Sequence, residues 1–241
     1  MSSIAYLNLR HGVPERREAF VNGLSALGYK VKSVLGQATP SNGDVFVTWN
    51  RIGKSDVVAR AFEKMGCPVL VVENASWGND FLGYRWYHIA RKYHNQKGAF
   101  PVGSCSRWDN LGYELLPWRK AGETVALLQR GIGPKKIRMP GNFTKTLMEK
   151  HPAARIRRHP GTRKFTPLID DLAEAGEVVT WGSGAAIKAL LWGIPVRSYL
   201  PNWIGEQDNT DIGRLEMFQQ LAWAQWTLDE IDQGIPFRRL L

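Results

Sequence analysis

Apolar positions along the chain fall into two alternating rhythms. Residues 4–10, 29–35, 44–50 and 68–74 are short runs, mostly apolar or alternating, that read as strands. The last of them, with Val69-Leu70-Val71-Val72 at its centre, is nearly continuous, the pattern of a strand covered on both faces. Between these runs, residues 15–27 place Phe20, Leu24 and Leu27 at helical spacing, and residues 55–65 form a second helical stretch. Gly28 and Gly66 are their stop signals. Strands alternating with helices require right-handed crossovers and so predict a parallel sheet.

Residues 75–118 break this rhythm and are rich in Trp, Tyr, Gly, Asn and Arg. Within them the spacing predicts a helix over 84–94, with Arg85, His88 and Lys92 on one face and Trp86, Ala90 and Tyr93 in an adjacent stripe. The α/β rhythm resumes with strands at 124–129 and 155–158 and helices at 144–150 and 167–175. Residues 178–196 then read as strand, Gly-Ser-Gly turn, helix and strand, and 214–232 as a closing helix. No repeat of fixed period and no low-complexity tract is present. The expected organisation is two Rossmann-like domains, 1–120 and 121–241, with ligands at the carboxyl ends of their strands.

Composition narrows the class. The chain has 241 residues, 44% hydrophobic and 22% charged, the values of an ordinary globular protein. No apolar run approaches the roughly 18 residues of a membrane span, and the start lacks the basic and apolar regions of a signal peptide, so a cytoplasmic protein without membrane contact is expected. Two cysteines, Cys67 and Cys105, lie outside any CxxC spacing and are expected as free thiols. A formal charge of +10 points to a polyanionic partner, because neutralising phosphates releases counterions.

The most informative stretch is Val178-Val179-Thr180-Trp181-Gly182-Ser183-Gly184, followed by Ala189-Leu190-Leu191-Trp192-Gly193-Ile194-Pro195-Val196. Small residues at a strand's end, opening a helix, leave backbone N–H groups for a diphosphate; the alternative is a tight turn that needs glycine for its own geometry. Together with Arg158-His159-Pro160, this series resembles the donor domain of GT-B glycosyltransferases, and capsule-polysaccharide and Kdo-type transferases carry a similar series. Residues 214–234 also resemble the C-terminal helix of those enzymes. The chain as a whole, including Trp49-Asn50-Arg51 and Glu73-Asn74-Ala75-Ser76-Trp77-Gly78, is similar to phage-encoded glycosyltransferases of hypermodified DNA bases. The resemblance implies an α/β GT-B fold, with two Rossmann-like domains facing an interdomain cleft. It also implies a nucleotide-sugar co-substrate, of UDP type, in place of a bound cofactor. Where many relatives carry an acidic residue, this helix has Ile187-Lys188.

On this reading Arg130, His159, Trp181, Gly182, Ser183, Gly184 and Lys188 bind the donor, and Asp208 and Asn209 hold hydroxyls of its sugar or else cap a helix. Asp80, Glu73 and His94 are the candidates for the base that activates the acceptor. Arg85, His88 and Lys92 are expected to meet phosphates of double-stranded DNA, with Trp77 or Trp108 stacking on an extruded base, or else to form an amphipathic helix with a wet basic face. No Asp-x-Asp flanked by apolar strands is present, so metal-independent transfer is expected. Two rival readings are a transferase acting on a surface polysaccharide and a noncatalytic DNA-binding module on the same scaffold.

Overall fold

A computed structural model describes residues 3–9, 12–34, 37–161 and 166–241. Arg10, His11, Leu35 and Gly36, at or beside the ends of two expected strands, lie outside the described residues. The chain divides into two compact units, one of Met1–Gly103 with Ala222–Leu241 and one of Ser104–Leu221. The boundary expected at residue 120 therefore moves, and the last twenty residues return to the first unit.

The first unit begins β1 (Ile4–Asn8), α1 (Pro14–Ser25), β2 (Lys30–Ser33), β3 (Val45–Trp49), α2 (Lys54–Lys64) and β4 (Val69–Asn74). A 3-10 turn, Phe81–Gly83, then leads into β5 (Trp86–Arg91). The second unit contributes α3 (Ser106–Asp109), β6 (Glu123–Leu127), α4 (Phe143–Lys150), β7 (Arg155–Arg157), α5 (Leu168–Asp171), β8 (Ala175–Thr180), α6 (Ala185–Leu191), β9 (Val196–Ser198) and α7 (Asp211–Leu221). The chain closes in the first unit with a 3-10 turn, β10 (Gln225–Thr227), α8 (Leu228–Asp232) and α9 (Ile235–Leu240). Among the described residues no helix is long and apolar enough to cross a membrane, and both cysteines are free thiols.

Sheet one has the order β10-β5-β4-β3-β1-β2. Its four strands from β4 to β2 are parallel, as expected, while β5 runs antiparallel to β4, and β10, antiparallel to β5, runs in the direction of the first four. One face buries Phe46, Val69 and Val71 against Val58, Ala59 and Phe62 of α2, each large side chain stabilising by roughly 1.5–3 kcal/mol. On the other side α1 lies against α8 and α9, with Phe20 meeting Phe237 at 5.5 Å. Behind Trp49 in the sequence, Arg51 is buried and held bidentately by Glu63 and by Asp56, so this conspicuous arginine is a clamp between strand end and helix.

Three expected helices are corrected. Residues 86–91 form a strand, because Trp86, Tyr87 and Ile89 favour extended backbone and the segment pairs with Leu70–Asn74 of β4. Arg85, His88 and Lys92 thus lose their common helix face. The closing helix is likewise interrupted, since Gln225, Trp226 and Thr227 pair with His88, Tyr87 and Trp86. The helix expected over 167–175 is reduced to Leu168–Asp171.

The shift of the boundary has a local cause. Trp108 stacks on Phe218 at 4.7 Å, and the Arg119 guanidinium donates to the carbonyls of Leu172, Ala173 and Ala175. Buried Arg214 donates to the carbonyls of Leu116 and Leu190 and lies 3.9 Å over the Trp118 ring. These bonds fasten residues 104–120 to the second unit. In the first unit Arg91 donates to the Leu240 carbonyl, tying the last helix to β5.

A polar row crosses the α2 side of sheet one. Glu73, His88 and Gln225 stand opposite one another on β4, β5 and β10. Gln225 Oε1 accepts from the Ser76 amide, so its Nε2 donates to His88 Nδ1 at 2.7 Å. That bond fixes the neutral ring with its proton on Nε2, which is buried without a partner.

Two outcomes test this fold. Gly23 in α1 is approached by the Ile231 carbonyl and by Phe237, leaving no room for a Cβ; Gly23→Ala lowers stability by about 1–3 kcal/mol in urea unfolding. Burial, together with His94, pushes His88 down to about 3, whereas the unfolded chain takes that proton near 6.5. The unfolded state therefore binds more protons between those values, and His94, also pushed down chiefly by burial, acts in the same direction. Stability is full above about pH 6.5 and falls as the pH drops toward 3; the urea midpoint decreases from pH 7 to pH 4.5, and it decreases less in His88→Gln.

Candidate functional site

The second sheet, β7-β6-β8-β9, is wholly parallel. From β6 the chain moves outward to β7 and then returns across β6 to β8, so its direction reverses between β6 and β8. Ligands of open α/β sheets bind outside the carboxyl ends of the strands at such a reversal. Here the reversal brings Gln129 and Arg130, after β6, beside Gly182-Ser183-Gly184, after β8: Gln129 Nε2 donates to the Gly182 carbonyl at 3.1 Å.

Thr180, fully buried at the end of β8, organises the turn. Its hydroxyl donates to the Leu127 carbonyl at 2.8 Å, joining β8 to β6, and accepts from the amides of Gly182 and Ser183. Ser183 Oγ accepts from the Ala185 amide. The expectation of a turn lined with open amides is therefore corrected: three of them already have side-chain acceptors. The two glycines also differ. A Cβ on Gly182 would meet Leu200 at 2.7 Å, so that glycine is required by packing. Gly184 is exposed, has φ −59 and faces open space, so the backbone can be approached there. Lys188 lies four residues on, one helical turn along the same face.

Around this point stand two buried polar atoms without partners, Gln129 Oε1 and Trp203 Nε1. Trp203 belongs to the loop after β9, and its Cδ1 lies 3.3 Å from where a Gly182 Cβ would be. A cleft of about 260 Å³ opens along the edge of β9, lined by Ser198, Trp203, Gly205, Glu206 and Gln207 among others. Arg130 is exposed, and so is His159, whose Nδ1 accepts from the Gly161 amide. Neither Gln129 nor Trp203 was marked as a site residue by the sequence; the available signals were a polar residue ending the apolar run of β6 and a tryptophan in a Pro-Asn-Trp-Ile-Gly loop.

Three expected donor residues have structural work instead. Trp181 donates to the Ile137 carbonyl and packs edge-on against Phe143. Asp208 accepts from the amide and hydroxyl of Thr210 ahead of α7, which holds its carboxyl below the usual range. The Asn209 amide pairs with both the N–H and the C=O of Val196, taking the place of a neighbouring strand at the edge of β9.

In the first unit, Glu73 and His94 come together at the carboxyl end of β4. The His94 ring meets His88 edge-on at 6.3 Å; burial pushes its pKa down, and the Glu73 carboxylate pulls it partly back. Asp80 is exposed at the entry to the 3-10 turn. The surface expected for DNA is not assembled. Trp77 is 3% exposed and stacks on Phe81, Trp108 is 3% exposed against Phe218, and His88 is 1% exposed. Of that set only Arg85, which pairs with Glu15 at 3.6 Å, and Lys92 are exposed. Among the described residues no group of three or more His, Cys, Asp or Glu is placed to hold a metal ion.

No family model matches the chain, and no curated protein matches it. Among solved structures it is similar to Thermosulfurimonas dismutans KpsC, a beta Kdo 2,4 transferase, with a TM-score of 0.52 and 13% identity over 94% of this chain and 93% of that one. Aspartate transcarbamoylase from Trypanosoma cruzi, ligand-free, aligns over 91% of this chain and 81% of that one at 15% identity, but with a TM-score of 0.28, which carries no argument. The likeness to the Kdo transferase is one of fold: an α/β architecture of parallel and mixed sheets, of the kind found in that glycosyltransferase.

Proposed function

We propose that the chain is a glycosyltransferase of GT-B type, in which the second unit binds a nucleotide-sugar donor and the first activates an acceptor hydroxyl. What carries this reading is the coincidence, at the chain reversal of the second sheet, of an open backbone at Gly184 with the cations Arg130 and Lys188 and the exposed imidazole of His159. The fold likeness to a sugar transferase supports it. The diphosphate leaving group lies at Gly184, and the three cationic or polar side chains neutralise the charge that develops as the sugar departs. Trp181, Asp208 and Asn209 are not assigned to the donor, because their polar atoms already serve the fold.

His94 takes the acceptor proton, and the Glu73 carboxylate stabilises the imidazolium that results. Burial keeps His94 neutral at neutral pH, the state a base requires. These two converge, whereas Asp80 stands apart in an exposed turn. The acceptor is a hydroxymethylated pyrimidine in double-stranded DNA, a reading supported by the strong positive charge. A second reading, transfer to a surface glycan, is favoured by the Kdo transferase likeness.

Incubation with labelled nucleotide sugars labels hydroxymethylated duplex DNA and leaves unmodified DNA unlabelled; label entering an oligosaccharide acceptor instead selects the second reading, and no transfer to either rejects the enzyme. His94→Gln reduces turnover about 100-fold or more, within the usual range for a general base, with donor affinity by calorimetry unchanged. The paired glycines separate binding from folding. Gly184→Ala keeps the melting temperature, since its backbone is already helical, but weakens donor binding at least tenfold; Gly182→Ala lowers the melting temperature through its clash with Leu200.

A further inference from the structure

The positive charge is unevenly distributed along the chain. Residues 124–169 contain eleven of the 32 Lys and Arg but only one of the 22 Asp and Glu, Glu149, making this the most strongly cationic stretch, whereas the surplus of residues 1–103 is offset by the acidic residues after 169. Two of its arginines are neutralised from outside the segment: Arg155 pairs with Glu123 and Asp171, and Arg157 with Asp171. Of those left among the described residues, Lys135, Lys136 and Arg138 in the loop after β6, Lys145 and Lys150 on α4, and Arg158 after β7 are all exposed, as is Arg130. None of these seven makes an ion pair among the described residues.

We infer that this β6–α4–β7 surface of the second unit is a docking site for the phosphate backbone of double-stranded nucleic acid. The charge far exceeds what a single diphosphate needs, so a polymer is the fitting partner. A membrane surface fits poorly, since binding there needs an amphipathic helix with an outward apolar face, and α4 has turned Phe143 and Leu147 into the core. A single strand fits poorly too, since such sites stack bases on open aromatic rings. The aromatic rings here pack on one another instead, Phe143 lying 5.3 Å from Trp181 and 5.6 Å from Tyr199. Exposed cations on two loops and a helix, without open rings, suit sequence-independent contact with a duplex backbone. The choice of DNA as the duplex rests on the acceptor proposed above; the charge asymmetry stands without it.

The test is binding of the full chain to an unmodified duplex of about 25 base pairs, followed by fluorescence anisotropy across a salt titration. Each cation removed from a phosphate flattens the slope of log affinity against log salt by about 0.9. The triple variant Lys135→Gln, Lys136→Gln, Arg138→Gln binds at least tenfold more weakly near 0.1 M salt, with a slope flatter by about two to three. The control Lys30→Gln, Lys32→Gln, on exposed edge positions of β2 in the first unit, binds as the parent does. A triple variant that is folded by circular dichroism and keeps the parent affinity and slope overturns the proposal. So does tighter binding of single strands, or capture by phosphatidylserine vesicles in the absence of duplex binding. Duplex binding lost in the triple variant while no sugar is transferred by any variant keeps the docking surface and rejects the enzyme reading; transfer to duplex that the triple variant performs at the parental rate and affinity does the reverse.

Discussion

One buried hydroxyl holds the second unit's candidate site in place. At the end of β8 the chain must leave the sheet and enter a helix within four residues, and each amide in that passage needs an acceptor or costs about 1–3 kcal/mol. Thr180 supplies it for two of them while donating to the neighbouring strand, so strand end and turn are one bonded unit. The consequence reaches the chemistry. Amides that would otherwise point outward are turned inward, so the proposed function leaves anion binding to the open position at Gly184 and to cationic side chains. A Gly-Ser-Gly turn can therefore combine both readings given to such motifs, one glycine serving packing and the other leaving approach for a ligand.

The first unit concentrates its local inconsistency in the polar row of Glu73, His88 and Gln225. These side chains occupy the face of a sheet whose other positions, Val69 and Val71 among them, are apolar core. Burying an imidazole and an amide is tolerable because they bond each other and the Ser76 amide. The His88 Nε2 proton is left without a partner, and His94 packs edge-on beside the ring. Places where a sequence breaks its own pattern at such a cost are where function is to be sought.

Much of the fold was legible in the periodicity, and the misreadings share a cause. β1 to β4 with α1 and α2 are local patterns, long enough to declare themselves. The spacing of Arg85, His88 and Lys92 predicts a helix over a segment whose Trp86, Tyr87 and Ile89 favour a strand. β10 could not be read at all: it is three residues long, and its partner His88 lies 137 residues earlier. The unit boundary escaped for the same reason, being set by Arg119 and Arg214 reaching distant carbonyls rather than by any linker. In the site, Gly182-Ser183-Gly184 was legible as a motif, while Gln129 and Trp203 acquire meaning only when strand ends and loops meet. Asp208 and Asn209 show the converse, residues of suggestive chemistry committed to a cap and a sheet edge.

Net charge, read as an average, pointed to a polyanion but not to a place. Screening limits an exposed charge to about 10 Å at 0.1 M salt, so scattered cations steer little, whereas the seven exposed cations carried by one helix and two loops of the second unit can reinforce one another. The residues singled out by helical spacing in the first unit do not form the expected surface because β5 is a strand that buries His88, and Arg85 already faces Glu15. Within the second unit the loop after β6 begins with Arg130 at the strand end and runs on to Lys135, Lys136 and Arg138. On the two proposals, a cation for a departing diphosphate and cations for a polymer follow one another on a single loop, and only the residues farther along it can be altered to separate the two roles.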